Sequence, residues 1–178
     1  MLGFYDNFPV FPHATATFTS SASTKTLQEA IVKMAGSLNN QECAIDTMAS
    51  ATMVNCKIGF EFGIAEAAAF NFLNIEEVGR FLKILARKET VLNIDFFCVV
   101  KYYLADGEKR RPLKFDHYLL RFIFRKPEVQ LRVFHERGMQ HLSIEELVEF
   151  LTKQINVELA KMKVKPLRLR TILHPVPI

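Results

Sequence analysis

The residues whose types and spacing could do chemistry lie between positions 94 and 136. Side chains of a strand alternate between two faces. Phe97, Val99, Lys101 and Tyr103 therefore share one side of the segment 94–104, and His117, Leu119, Arg121, Ile123 and Arg125 share one side of 113–126. Gln130, Arg132 and Phe134 do the same in 128–136. A solvated sheet face is ordinarily polar. This one mixes rings and aliphatics with four cations, Lys101, Arg121, Arg125 and Arg132. Rings offer nucleobases a surface to stack on, and cations beside them neutralise phosphates. Such stacking contributes about 1–3 kcal/mol per base and requires unpaired bases, so the expected ligand is single-stranded DNA or RNA. Lys109, Arg110 and Arg111 occupy a turn at the edge of the face, within reach of a phosphate backbone. The candidate nucleic-acid-binding set is thus Phe97, Lys101, Tyr103, Lys109, Arg110, Arg111, Arg121, Arg125, Arg132 and Phe134. The same pattern also arises when a helix or a second subunit covers a sheet face, leaving guanidinium groups at the rim. The alternative reading is therefore a protein-interaction or oligomerisation module.

Other residue types give no catalytic pattern. His135, Glu136, Arg137 and His141 lack the spacing of a metalloprotease helix motif, and the five histidines are widely separated. Glycines are too scattered for a phosphate-cradling loop. Ser20, Ser21 and Ser23 read as a strand end and a helix cap, and Glu61 and Glu66 flank a turn with no second carboxylate placed opposite them. The expectation is a binding protein and not an enzyme, with no cofactor and no metal.

Charge is distributed unevenly. Residues 1–100 carry seven Lys+Arg against ten Asp+Glu, whereas 101–178 carry sixteen against nine, so the overall +4 divides into −3 and +7. A basic half suits a polyanionic partner, because neutralised phosphates release condensed counterions. It also suits ordinary solubilisation. The three cysteines, Cys43, Cys56 and Cys98, have no short spacing, which argues against disulfides or a thiolate zinc site and for a reducing compartment. Residues 1–13 resemble no signal peptide, and no apolar run is long enough to cross a bilayer. The expected location is cytoplasmic, with no membrane partner.

The elements that must position the site follow from periodicity. Ala14–Ser20 alternates as a strand, and Ser23 or Thr24 opens a helix with Leu27, Ala30, Ile31, Met34 and Leu38 on one stripe. Residues 39–52 have no clear period and read as loop. The segment 54–62 alternates, and 64–73 reads as its return arm after a turn near Gly63. Asn74 caps a second helix with Glu77 three residues on. A three-stranded meander follows over 91–104, 113–126 and 128–136, and Ser143 with Glu146 caps a last helix running to about Lys163. The expectation is one α+β domain over residues 1–163, with an antiparallel sheet of five to six strands and three helices. Residues 164–178, with Pro166, Pro175 and Pro177, read as an extended basic tail whose Leu167–Arg170 alternation suits an added edge strand or a basic arm. In the last helix Leu147, Leu151, Ile155 and Leu159 recur at four-residue steps, either packing on the sheet or zipping against a second copy.

The basic and aromatic meander followed by the long striped helix resembles the archaeal ThermoDBP-type single-stranded DNA-binding proteins, on the stretches Phe115–Phe124, Leu131–Gly138 and Ser143–Phe150. The resemblance implies an apolar cleft flanked by basic residues, in which bases are seated, and an oligomeric assembly.

Overall fold

The computed structural model describes residues 1–39, 41–44, 56–87, 90–104 and 112–176. The alternating segments pair into one antiparallel sheet and the striped segments become three helices, an α+β fold. The strands are β1 (Ala14–Thr19), β2 (Glu42–Ala44), β3 (Cys56–Glu66), β4 (Ala69–Phe72), β5 (Asn93–Leu104), β6 (Pro112–Arg125), β7 (Glu128–Arg137) and β8 (Arg168–Leu173). The helices are α1 (Thr24–Leu38), α2 (Ile75–Arg87) and α3 (Ile144–Lys161). Across the sheet the order is β2-β3-β5-β6-β7-β1-β8, with β4 folded back on β3. Eight strands exceed the expected five to six. The additions are β2, which falls where a loop was expected, and β8.

Each helix begins where its cap dictates. The Ser23 hydroxyl accepts from the Thr26 N–H at 3.1 Å, and the Asn74 carboxamide oxygen accepts from the Glu77 N–H at 2.9 Å. Ser143 and Glu146 form a reciprocal capping box, with bonds of 3.1 and 2.8 Å. Caps of this kind each contribute about 1 kcal/mol.

One sheet face and the helix stripes make a single apolar core. Ala14, Ala16 and Phe18 of β1, Ile58, Phe60 and Phe62 of β3, Phe96 of β5 and Phe122 of β6 join Ile31 and Met34 of α1, Phe81 of α2 and the α3 stripe. The Phe60 ring stacks on Phe150 of α3 at 5.0 Å. Within α3, Leu147, Leu151, Ile155 and Leu159 are 0–1% exposed. Of the two readings of this stripe, packing inside the chain is the one the structure shows: the four side chains are buried toward the sheet and α1, which leaves none of them to zip against a second copy. No helix among the described residues is long and apolar enough to cross a membrane.

One connection differs from the sequence reading, and for the C-terminal segment the edge-strand alternative holds. The β3–β4 hairpin turns at Ala67–Ala68 instead of Gly63, with Ala67 in the left-handed region at φ 56°. The C-terminal segment is integral to the sheet. Leu167 is buried, and Asn156 of α3 brackets its backbone, accepting from the Leu167 N–H at 2.8 Å and donating to its carbonyl at 3.1 Å. That anchor delivers Arg168–Leu173 to the free edge of β1.

Candidate nucleic-acid interface

Because the helix stripes all join one cluster, the opposite face of the sheet carries no helix among the described residues. What lies over it is part of the N-terminal segment: Phe4, Tyr5 and Phe8 gather around Arg121 of this face, whereas Leu2 enters the main core. Val99, Leu119 and Ile123 of that face and Phe8 of the segment are buried yet stand outside the main cluster. Backbone bonds tie the segment down: the Gly3 N–H donates to the Ala65 carbonyl at 2.7 Å and the Asp95 N–H to the Gly3 carbonyl at 2.8 Å.

Register places the predicted residues together. Phe97 of β5 lies opposite Leu119 of β6, which lies opposite Phe134 of β7. In the next row of this face Asp95, Arg121 and Arg132 stand side by side, and Thr15 of β1 follows. Toward the other end Gly59, Lys101 and Phe115 form a row. Tyr103 belongs to the same face, its ring lying over Gly59, where a Cβ would sit only 3.1 Å from Tyr103 Cε2. Glycine here lets the phenol lie against the sheet. Lys109, Arg110 and Arg111 lie outside the described residues.

Shared orientation does not make these residues equivalent. Arg121 is an internal latch. Its Nε and Nη2 donate to the two carboxylate oxygens of Asp95 at 2.8 and 2.7 Å, Nη2 also donates to the Tyr5 carbonyl at 2.9 Å, and the guanidinium lies 4.9 and 4.4 Å from the Phe4 and Phe8 ring centres. Asp95 is fully buried and accepts a further bond from the Tyr5 N–H at 2.7 Å. Burial pushes the Asp95 carboxyl up, against the opposing pull of Arg121 and that N–H. The expectation that Arg121 serves a phosphate is therefore corrected: its charge is spent on Asp95. Lys101 pairs with Glu61 at 2.5 Å, and Phe134 carries the His13 ring stacked on it at 4.3 Å. Arg132 and Arg125 have no carboxylate within ion-pair distance among the described residues, and Arg125 is exposed.

The rings connect into a chain that no single segment announces. Tyr5, Phe70, Phe97, His117 and Phe115 follow one another with centroid separations of 4.6, 5.7, 5.5 and 6.5 Å. Phe115, 41% exposed, is the open end. Burial, with help from nearby Arg137, lowers the His117 pKa, and burial followed by His135 lowers that of His13. Both shifts favour the neutral imidazole. Sequence reasoning put His117 on this face and passed over Phe115, although the same alternation reaches it two residues earlier. Tyr5 and Phe70 had no comparable signal, since they arrive from the N-terminal segment and β4.

On the core side Asp116 and His135 form a pair whose carboxylate is also bound to the loop that follows β7. His135 Nε2 lies 3.0 Å from Asp116, but the same carboxylate accepts from the Tyr102 hydroxyl at 2.7 Å and from the N–H groups of Gln140 and His141 at 2.7 and 3.1 Å. Burial would raise this carboxyl, but the bonds from Tyr102, His135 and the two N–H groups outweigh it and hold it below the usual range. Asp116 fastens the β7–α3 loop, where Gly138 takes φ 116° against it. Among the described residues no cluster of His, Cys, Asp and Glu is arranged to hold a metal.

No protein-family model, curated protein or solved structure matches the chain.

Proposed function

We propose that the chain binds single-stranded nucleic acid on the helix-free face of its sheet, with bases against the Phe97–His117–Phe115 rings and phosphates on Arg132 and Arg125. The observation that carries this reading is the row of rings ending in exposed Phe115, on a face that also holds cations without carboxylate partners among the described residues. The basic C-terminal half and the resemblance of the meander to ThermoDBP-type proteins point the same way. The footprint is narrower than the sequence suggested, because Arg121 and one face of Phe134 are already engaged.

A second reading, a protein-interaction module, rests on a different place. Exposed Phe72 and Ile75 border a groove of about 540 Å³ between the end of α1 and the start of α2.

Fluorescence anisotropy with labelled single-stranded DNA and RNA tests the proposal. Phe115→Ala should weaken binding by about 1–3 kcal/mol, the scale of one stacked base, without altering thermal stability. Arg132→Ala should lower the slope of log affinity against log salt by about one. Absence of binding to either polymer at low salt ends this reading, and loss of a protein partner in Phe72→Ser would favour the second.

A further inference from the structure

The cations of β8 and of the connection before it lie away from the rings. Lys165, Arg168 and Arg170 line, with Thr19, Ser20 and Ser21, a cavity of about 290 Å³ where the end of β1 meets the start of β8. On β7 the ring platform and this end of the sheet are separated by six residues, from Phe134 to Glu128, or about 20 Å of strand.

Two hydroxyls of this cavity already accept one bond each. Thr19 Oγ1 accepts from Arg170 Nε at 3.0 Å, and Ser20 Oγ accepts from the Ala22 N–H at 3.0 Å. Each hydroxyl proton is left to donate, as are the remaining guanidinium N–H groups and the Lys165 ammonium. Among the described residues none of the three cations has a carboxylate within ion-pair distance. The nearest acid by register, Glu128, lies across β1 from Arg168, since both pair with Thr19. A site that offers donors and positive charge is complementary to a ligand made of acceptors and negative charge.

The backbone that presents these groups is held in place. Leu167, between Lys165 and Arg168, is 2% exposed and bracketed on both sides by Asn156, and Arg168 is paired in β8. A water occupies about 30 Å³ of liquid, so the cavity has room for a phosphate together with part of the group that carries it.

We propose that this cavity is a phosphate-binding site, seating a phosphoryl group against Lys165, Arg168, Arg170 and the hydroxyls of Thr19, Ser20 and Ser21. The ligand is either a small phosphate compound or the terminal phosphate of a nucleic-acid strand. The site does not depend on the ring platform.

Amide NMR of the full chain, titrated with pyrophosphate at ionic strength held constant with chloride, tests this. Saturable shifts are expected in Thr19–Ser21 and Lys165–Arg170. They should weaken about tenfold or more in Arg168→Gln/Arg170→Gln, which removes two charge-assisted donors from exposed positions. Lys153→Gln, a charge loss on α3 outside the cavity lining, and Phe115→Ala should leave the titration unchanged. Comparing 5′-phosphorylated with 5′-hydroxyl oligonucleotides identifies the source. Tighter binding of the phosphorylated strand, lost in the double variant, assigns the site to strand ends, whereas equal binding of the two strands beside saturable pyrophosphate shifts assigns it to small phosphates. Scattered, non-saturating shifts, or a double variant that binds pyrophosphate as well as the parent, overturn the proposal while leaving the ring platform untouched.

Discussion

Replacing Arg121 with methionine removes a cation while keeping most of the side-chain volume, and its consequence can be worked from the contacts. Asp95 remains, fully buried, with only the Tyr5 N–H as a donor in place of three bonds. Leaving one partner of a buried pair costs about 3–5 kcal/mol, a large share of the roughly 5–15 kcal/mol that holds a domain folded. The cost should depend on pH. Without Arg121 the buried carboxyl titrates higher in the folded than in the unfolded chain, and a raised carboxyl loses stability as pH climbs above the unfolded value of about 3.9. The difference between parent and variant should therefore be small near that pH and grow toward neutrality. Urea unfolding across this range measures it. Hydrogen exchange at Gly3, Tyr5 and Asp6, whose N–H groups bond Ala65, Asp95 and Ala67, reports whether the N-terminal segment lifts with the latch. Asp95→Leu/Arg121→Met, which removes both charges, should recover much of the loss. If the chain binds oligonucleotides as proposed, the variant should keep the parent's salt slope, because Arg121 is paired with Asp95. A variant as stable as the parent at neutral pH, or a slope reduced by one, would refute the latch.

Three further outcomes follow from packing and charge. Asp116→Asn should lower the melting temperature at neutral pH, and the gap should close on acidification: the folded carboxyl is depressed, so its contribution exists above the unfolded value and disappears as pH falls through the folded one. A gap constant with pH would contradict the assigned bonds. Leu151→Ala should cost about 2–5 kcal/mol in denaturant titration without changing the molar mass by light scattering; dissociation of a larger species at unchanged stability would return α3 to an interface role. Gly138→Ala should destabilise by more than about 1 kcal/mol, since φ 116° disfavours a side chain and the new Cβ would press on Asp116 and the Phe115 carbonyl. Wild-type stability in calorimetry would show that the loop relaxes.

Local pattern carried much of this architecture. Ser23, Asn74 and Ser143 open helices because a short side-chain oxygen satisfies an otherwise unbonded N–H, a decision made within three residues. The two-residue alternation of 94–104, 113–126 and 128–136 assigned faces correctly because antiparallel pairing preserves it across strands. β2 was not legible: three residues cannot display a period, and their strand conformation depends on the edge that β3 offers. For β8 the alternation was visible, but whether it ran as a free arm or a paired edge depended on the Asn156 bracket and on β1 being open on that side.

The sequence by itself determined which residues are cationic, which are aromatic, and which side of its strand each occupies, because these depend on composition and on neighbours two to four positions away. Only the tertiary structure decided their condition. Arg121 became a latch because Asp95 sits across from it and residues 4–8 close over it, Phe134 received His13, and the α3 stripe was buried against its own core. Those partners are tens of residues away along the chain, and a side chain's availability is set by what the fold brings against it in space.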